Sequence, residues 1–274
     1  MTARRTTASD LPAPQTGAEA ATYQAVRSYL TGLRMGAAAE ALPGLLDRGR
    51  TEKWNHTEFL HHLLAVEAQA VAARRHDSLQ RFAKLPAHWH LDDFDFTAQP
   101  TVDHDLMRDL ATCRYLDDAT NVLLIGPPGV GKTMLATILG QAAVDAGRRT
   151  YYTTAADLVA RCHRAAIEGR WANTMRFFAG PDLLIVDEVG YLPLANEASA
   201  ALFQVIAHRY GKGSIALTTN LAVGDWGRIF DDSMVAAAML DRLLHRSAVL
   251  NITGDSYRLR AHKARTSQLA RSVR

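Results

Sequence analysis

Residues Gly126 to Thr133 read Gly-Pro-Pro-Gly-Val-Gly-Lys-Thr, which fits the phosphate-binding loop pattern G-x-x-x-x-G-K-[ST] at every fixed position. Gly126, Gly129 and Gly131 let the backbone turn closely enough for successive N–H groups to face phosphate oxygens. Pro127, Pro128 and Val130 complete the loop and Met134 follows it. Lys132 is placed to reach the β- and γ-phosphates of ATP, and Thr133 to hold Mg²⁺. A second pair of chemical residues, Asp187-Glu188, ends the apolar run Leu183–Val186. There Asp187 would orient the Mg²⁺ together with Thr133, and Glu188 would orient or deprotonate an attacking water. An apolar run ending in Asp-Glu is a weak signal alone. Downstream of a full phosphate loop, with strands between, it is a strong one. Asn220, just past the run Ser214–Thr218, offers an amide to a γ-phosphate or its water, or is simply a turn residue.

These groups need a scaffold, and the hydrophobic pattern supplies one. Val122–Ile125 reads as a strand entering the loop, and the helix expected from about Lys132 to Ala146 points its positive N-terminus at the same anion. Thr150–Thr153 reads as a strand and Ala155–Glu168 as a helix with Leu158, Cys162 and Ala165 on one side. Asp182–Glu188 and Ser214–Thr218 are further strands, Ser199–Arg209 and Met234–Arg246 helices, and Ala248–Ile252 a last strand. Strand and helix in alternation predict an α/β fold, a parallel sheet flanked by helices. Asp187 then lies at the C-terminal end of its strand, where open sheets bind ligands.

Upstream the pattern is helical. Thr22–Arg50 is expected as short helices broken by Gly32, Gly36, Pro43 and Gly44. A longer helix is expected from an N-cap at Thr57 to the stop at Pro86. Leu60, Leu63, Leu64, Val71, Leu79 and Phe82 fall at helical spacing and predict one buried stripe. Leu91–Pro100 reads as a linker that packs Phe94 and Phe96 onto the next domain, and Asp103–Tyr115 as a helix. The expected organisation is a disordered leader at 1–19, a small all-α domain at 20–97, the nucleotide domain at 98–260 and a basic tail at 261–274. The tail is either disordered or a basic arm for nucleic acid.

Charge is nearly balanced at +3 over 274 residues, so the total does not mark a nucleic-acid binder. Local clusters carry that possibility. Arg74, Arg75 and Arg81 crowd one half of the long helix, and Arg161, Arg164 and Arg170 lie on or just past another. Each is a candidate phosphate contact; the plain alternative is a solvated helix face. Cys113 and Cys162 form no C-x-x-C pair, which argues against a disulfide framework and fits a reducing cytoplasm. No apolar run of about 18 residues exists to span a membrane. His56, His61, His62, His76, His88 and His90 lack the H-E-x-x-H spacing of a metal site and read as exposed histidines.

As a set, the segments GPPGVGKTMLA, LLIVDEVGYLPL, FQVIAHRY, TTNL, AMLDRLLHR and GDSYRLR resemble the IstB-like AAA+ ATPases, helper proteins of insertion-sequence transposons related to DnaC-type helicase loaders. The resemblance covers roughly residues 30–260. It implies a P-loop NTPase of the AAA+ kind that hydrolyses ATP with Mg²⁺, assembles as a ring or spiral homo-oligomer on duplex DNA, and serves a cognate transposase. It implies that Asn220 is a first sensor and that Arg242 is an arginine finger completing the neighbouring subunit's site. It also makes Arg258 a weaker second-sensor candidate. Spacing alone leaves Arg242 open between that role and a local ion pair with Asp241. The sequence departs from the usual pattern at Met134-Leu135, where His-Leu often follows Gly-Lys-Thr, and little room is left after Ile252 for a C-terminal lid. A replicative helicase loader and a non-hydrolysing nucleotide switch are the alternatives.

Overall fold

The computed structural model describes residues 17–190, 196–228 and 233–257. Arg258 and the basic tail lie outside the described residues. The chain divides into two compact units, one ending at Arg75 and the other beginning at His76.

In the first unit α1 (Gly17–Gly32) and α2 (Gly36–Glu52) are followed by α3 (His56–Ala83), inside which the division falls. Gly17–Glu19, expected as leader, are therefore helical. Gly32 and Gly36 bracket a break, as their spacing suggested, with Arg34 at φ 61° between them. Pro43 and Gly44, expected to break the chain again, sit inside α2. Leu42 and Leu45 on either side of them are buried with Leu30, Ala38 and Ala39, and this burial outweighs the missing N–H of the proline.

The N-cap of α3 is Asn55, not Thr57. The Glu58 N–H donates to Asn55 Oδ1 at 3.0 Å, and the Asn55 N–H donates to Glu58 Oε2 at 2.7 Å. This reciprocal box satisfies donors that the helix start leaves open. Asn55→Ala should cost about 1 kcal/mol, read as a lower denaturant midpoint for the helical unit; an unchanged midpoint would show that Glu58 alone holds the helix start.

The expected stripe on α3 is also displaced. Leu63 is buried, but Leu60, Leu64 and Val71 are each more than half exposed. The packed face is Phe59, Leu63 and Val66, with the buried Glu67 beside them. A three-to-four spacing fits several faces of one helix, and the α2 contact selects among them. Glu67 Oε2 accepts from the Ala38 N–H at 3.0 Å and Oε1 from Arg74 Nη2 at 2.8 Å. The Arg74 hydrogen bond, aided by that of Ala38, holds the Glu67 carboxyl below its usual value.

The second unit is a five-stranded parallel sheet. Its strands are β1 (Asn121–Ile125), β2 (Thr150–Thr154), β3 (Leu183–Val189), β4 (Ser214–Thr219) and β5 (Ser247–Asn251), in the order β2-β3-β4-β1-β5. The helices are α4 (His104–Ala111), α5 (Lys132–Asp145), α6 (Ala155–Ile167), α7 (Trp171–Ala179), α8 (Asn196–Arg209) and α9 (Ser233–Leu244). Helix α7 is an element the periodicity did not reveal. Its nine residues are too few for a clear period.

Alternation along the strands builds two cores. Leu184, Val186, Ile215 and Leu217 pack with α6, α7, α8 and α9. Leu183, Ile185, Val122, Leu124 and Ala216 pack with α4 and α5. Phe94 is buried in that second core and Phe96 packs against it, as the linker reading expected. Arg209, fully buried at the start of the strands, donates to the carbonyls of Phe178, Asp182 and Ser214. Burial lowers its pKa to about 10, so it is still a cation at neutral pH. Among the described residues no helix is long and apolar enough to cross a membrane.

Candidate functional site

Strand order decides which ends meet. β4 lies between β3 and β1, so the loop after β1, the acidic end of β3 and the polar end of β4 are neighbours. The loop leaves β1 at Gly126, whose N–H donates to Thr219 O at 3.1 Å. A Cβ there would stand 2.2 Å from Ile252 O, so only glycine fits. Gly129 and Gly131 have φ of 84° and 101°, the left-handed region that side chains avoid. Val130 is buried as an apolar anchor, while Pro127 and Pro128 face solvent.

Lys132, at the start of α5, is buried, and its Nζ donates to Gly126 O at 2.7 Å and Pro127 O at 2.8 Å. The ammonium is thus held directly over the loop. Thr133 Oγ1 donates to Asp187 Oδ1 at 3.1 Å, which joins the helix start to the end of β3. Thr218 Oγ1 donates to the same carboxylate oxygen, and the Tyr152 hydroxyl donates to Oδ2 at 2.6 Å. Burial, reinforced by that bond to Asp187, raises the Tyr152 pKa and keeps it a proton donor at neutral pH.

Glu188 is exposed and adopts φ 63°, unusual for a side-chain-bearing residue. The β3–β4 pairing slips between Val186 and Val189, and this irregularity turns Glu188 outward while its N–H donates to Thr218 Oγ1 at 3.0 Å. A cavity of about 400 Å³ opens here, lined by Gly129, Val130, Gly131, Lys132, Thr133, Met134, Asp187 and Glu188. The structure therefore brings the loop and the Asp-Glu pair into one site.

Trp89, Asp93, Phe94, Asp95, Gln99 and Tyr257 also line this cavity, and sequence reasoning did not place them there. The Tyr257 N–H donates to Gly129 O at 2.9 Å, and the Phe94 ring would lie 2.8 Å from a Cβ on Gly131. The glycine pattern implied something close to the backbone but not what it was.

Other expected residues lie elsewhere. Asn220 follows β4 directly; Thr218 lines the cavity and Asn220 does not. The Asn220 Oδ1 is buried, with no hydrogen-bond partner among the described residues. Arg242 is half-buried on α9, with Nη1 donating to Ala238 O at 2.8 Å and its guanidinium 5.0 Å from the Phe203 ring centre. It lines a separate pocket of about 310 Å³ with Arg209, His245 and Arg246, away from its own chain's phosphate loop.

Three basic candidates of the second unit converge. Arg161, Arg164 and Arg170 line a groove of about 840 Å³ beside β2, joined by Lys84. Arg161 stacks 3.6 Å over the Phe177 ring, and Arg170 forms an ion pair with Glu168. In the first unit Arg74 is tied to Glu67, and Arg75 is exposed. Arg81, on the last turn of α3, is exposed too.

The family model described as IstB-like ATP binding protein matches residues 28–265. A protein of insertion sequence IS5376 from Geobacillus stearothermophilus, named for ATP binding, is 43% identical over 235 residues, covering 86% of this chain and 94% of its own length. A counterpart from insertion sequence IS21 of Pseudomonas aeruginosa is 40% identical over 231 residues, covering 84% and 87%. Among solved structures, AMPPCP-bound DnaA from Aquifex aeolicus is similar with a TM-score of 0.53 at 19% identity, over 68% of this chain and 56% of that one. The DnaC helicase loader is similar with a TM-score of 0.50 at 22% identity, over 60% and 96%. These structural likenesses show the fold, a parallel sheet flanked by helices. The chain belongs to the IstB-like ATP-binding protein family.

Proposed function

We propose that this protein is an Mg²⁺-dependent ATPase that assembles as an oligomer on duplex DNA and assists a transposase in choosing and joining its target. The observation that carries the reading is the contact of Thr133 with Asp187 across the loop, with Glu188 beside it on the same cavity. Both donors are oxygens, the set a hard cation such as Mg²⁺ prefers. Thr133 and Asp187 would hold the ion, which neutralises phosphate charge when bound.

The chain supplies the rest. Loop N–H groups and Lys132 bind the phosphates of ATP. Glu188 takes a proton from the water that attacks the γ-phosphorus, or orients it. Asn220, directly after β4, is the residue whose amide would hydrogen-bond the γ-phosphate or its water. Arg242 lines a different pocket from the phosphate loop and would serve the phosphates of an adjacent copy, where its charge offsets that of the transition state. Arg258 is a weaker second-sensor candidate.

The insertion-sequence relatives support a transposase as partner, and the groove of Arg161, Arg164 and Arg170 supports a DNA phosphate contact, with Arg74, Arg75 and Arg81 as further candidates. Phosphate release should rise with duplex DNA and with protein concentration; a rate indifferent to both would leave only a nucleotide switch. Replacing Arg161 and Arg164 together should weaken DNA binding about equally for all sequences. It should also make the log–log salt slope shallower by about 2, measured by fluorescence anisotropy between low and physiological salt. An unchanged affinity and slope would remove this groove from the DNA path.

The likeness to the DnaC loader over 96% of that chain favours one second reading, a replicative helicase loader. Pull-down of an insertion-sequence transposase against a replicative helicase separates the two.

A further inference from the structure

The phosphate loop and the Asp-Glu pair line only part of their cavity. Trp89, Asp93, Phe94, Asp95 and Gln99, from the segment before α4, and Tyr257, after β5, line another part. Phosphates and a hard cation call for nitrogen and oxygen groups. A nucleobase instead has flat faces that stack on aromatic rings.

The aromatic residues of this wall are not equivalent. Phe94 is buried, lies edge-on to Phe96 at 4.9 Å between ring centres, and closes on Gly131. Trp89 is 40% exposed, and among the described residues its indole makes no ring contact and its N–H no hydrogen bond. The residues on either side of it are tied down. His88 Nδ1 lies 2.8 Å from Gln80 Nε2 and 3.3 Å from Gln141 Oε1 of α5. The His90 N–H donates to Asp93 Oδ2 at 2.8 Å, and its ring lies 3.7 Å from Asp145 at the end of α5. The backbone of Trp89 is therefore held in place beside the cavity while its ring is left without a partner.

Gln99 is a second, independent sign that this wall serves a ligand. It is 2% exposed, and its Nε2 donates to Asp255 O at 3.0 Å. Its Oε1 has no partner among the described residues. A buried acceptor without a donor costs free energy, and a nucleobase such as adenine carries an amino group of the matching kind.

We propose that Trp89 is a nucleobase platform: its indole stacks on the base of the triphosphate whose phosphates the loop holds. This deepens the ATP-binding reading above and rests on it.

Trp89→Leu in the full chain tests this, because leucine is apolar but has no flat face. Calorimetric titration compares ATP with inorganic tripolyphosphate, which presents the phosphates without a base. The variant should bind ATP about tenfold more weakly and tripolyphosphate as wild type does. Trp89→Phe, which keeps an aromatic face, should recover most of the ATP affinity. ATP should also quench the indole emission of wild type more than tripolyphosphate does, and the difference should vanish in Trp89→Leu.

Wild-type ATP affinity in Trp89→Leu overturns the platform. So does an equal loss for ATP and tripolyphosphate, the mark of a merely structural role. A wild-type protein that binds neither ligand would instead overturn the underlying nucleotide reading, so the two failures are distinguishable.

Discussion

Lys132→Ala should raise the Kd for ATP by about 100-fold or more, since hydrogen bonds to charged groups contribute about 1.5–3 kcal/mol each and the ammonium can make two or three of them. The present geometry makes the reason specific. Lys132 is buried at the start of α5, with Nζ 2.7 Å from Gly126 O and 2.8 Å from Pro127 O. The side chain thus positions a cation over the loop that is to receive phosphate, and it also ties the loop's own carbonyls. Alanine removes the charge and releases those carbonyls together. Titration with a fluorescent ATP analogue measures the loss directly. Thermal melts with and without ATP check it independently, because a ligand that binds only the folded state raises its stability by RT ln(1 + [L]/Kd). The wild type should be stabilised by ATP and the variant should not. Binding within a few-fold of wild type would mean that the loop N–H groups carry the affinity without the lysine.

Glu188→Gln should separate binding from turnover. Glu188 lies on the cavity but makes no side-chain contact to Thr133 or Lys132 among its described hydrogen bonds; what is fixed is its backbone, through Thr218. Its left-handed φ of 63° costs free energy that only the surrounding β3–β4 pairing sustains. Glutamine tolerates that backbone about as well as glutamate does and preserves the shape. It cannot accept a proton. Phosphate release should fall by about 10²–10⁴-fold, the size of a general-base contribution, with the ATP Kd within a few-fold of wild type. In the ATP-bound variant the DNA complex should persist longer, seen as slower dissociation on dilution. Retention of more than a tenth of the wild-type rate would sink the assignment of Glu188 as the base.

Local chemistry was legible in the sequence because local chemistry is what short-range backbone physics specifies. The glycines of the phosphate loop are required where φ is positive or where a Cβ would collide, and their spacing along the chain carries that requirement openly. The apolar runs of β1, β3 and β4, buried throughout apart from Glu188, announce a parallel sheet, and Asp187-Glu188 marks where one strand meets the ligand edge. For the same reason the helix expected from Lys132 differs from α5 by a single residue.

What the sequence left open depends on which elements become neighbours. Tyr152 and Asp187 meet because β2 pairs with β3 and not with β1, a choice that periodicity does not encode. Phe94 and Tyr257 reach the loop from opposite ends of the nucleotide unit. Arg74 is spent on Glu67, whereas Arg161, Arg164 and Lys84 share a groove, although all four look alike as isolated basic residues. The stripe on α3 was misplaced because several faces fit the same spacing, and only burial against α2 distinguishes them. The sequence by itself determined a phosphate loop, its acidic partner and a parallel sheet, since each is written in the steric demands of adjacent residues. The tertiary structure alone decided what surrounds the loop and which basic residues share a groove, because long-range contacts follow strand order and packing.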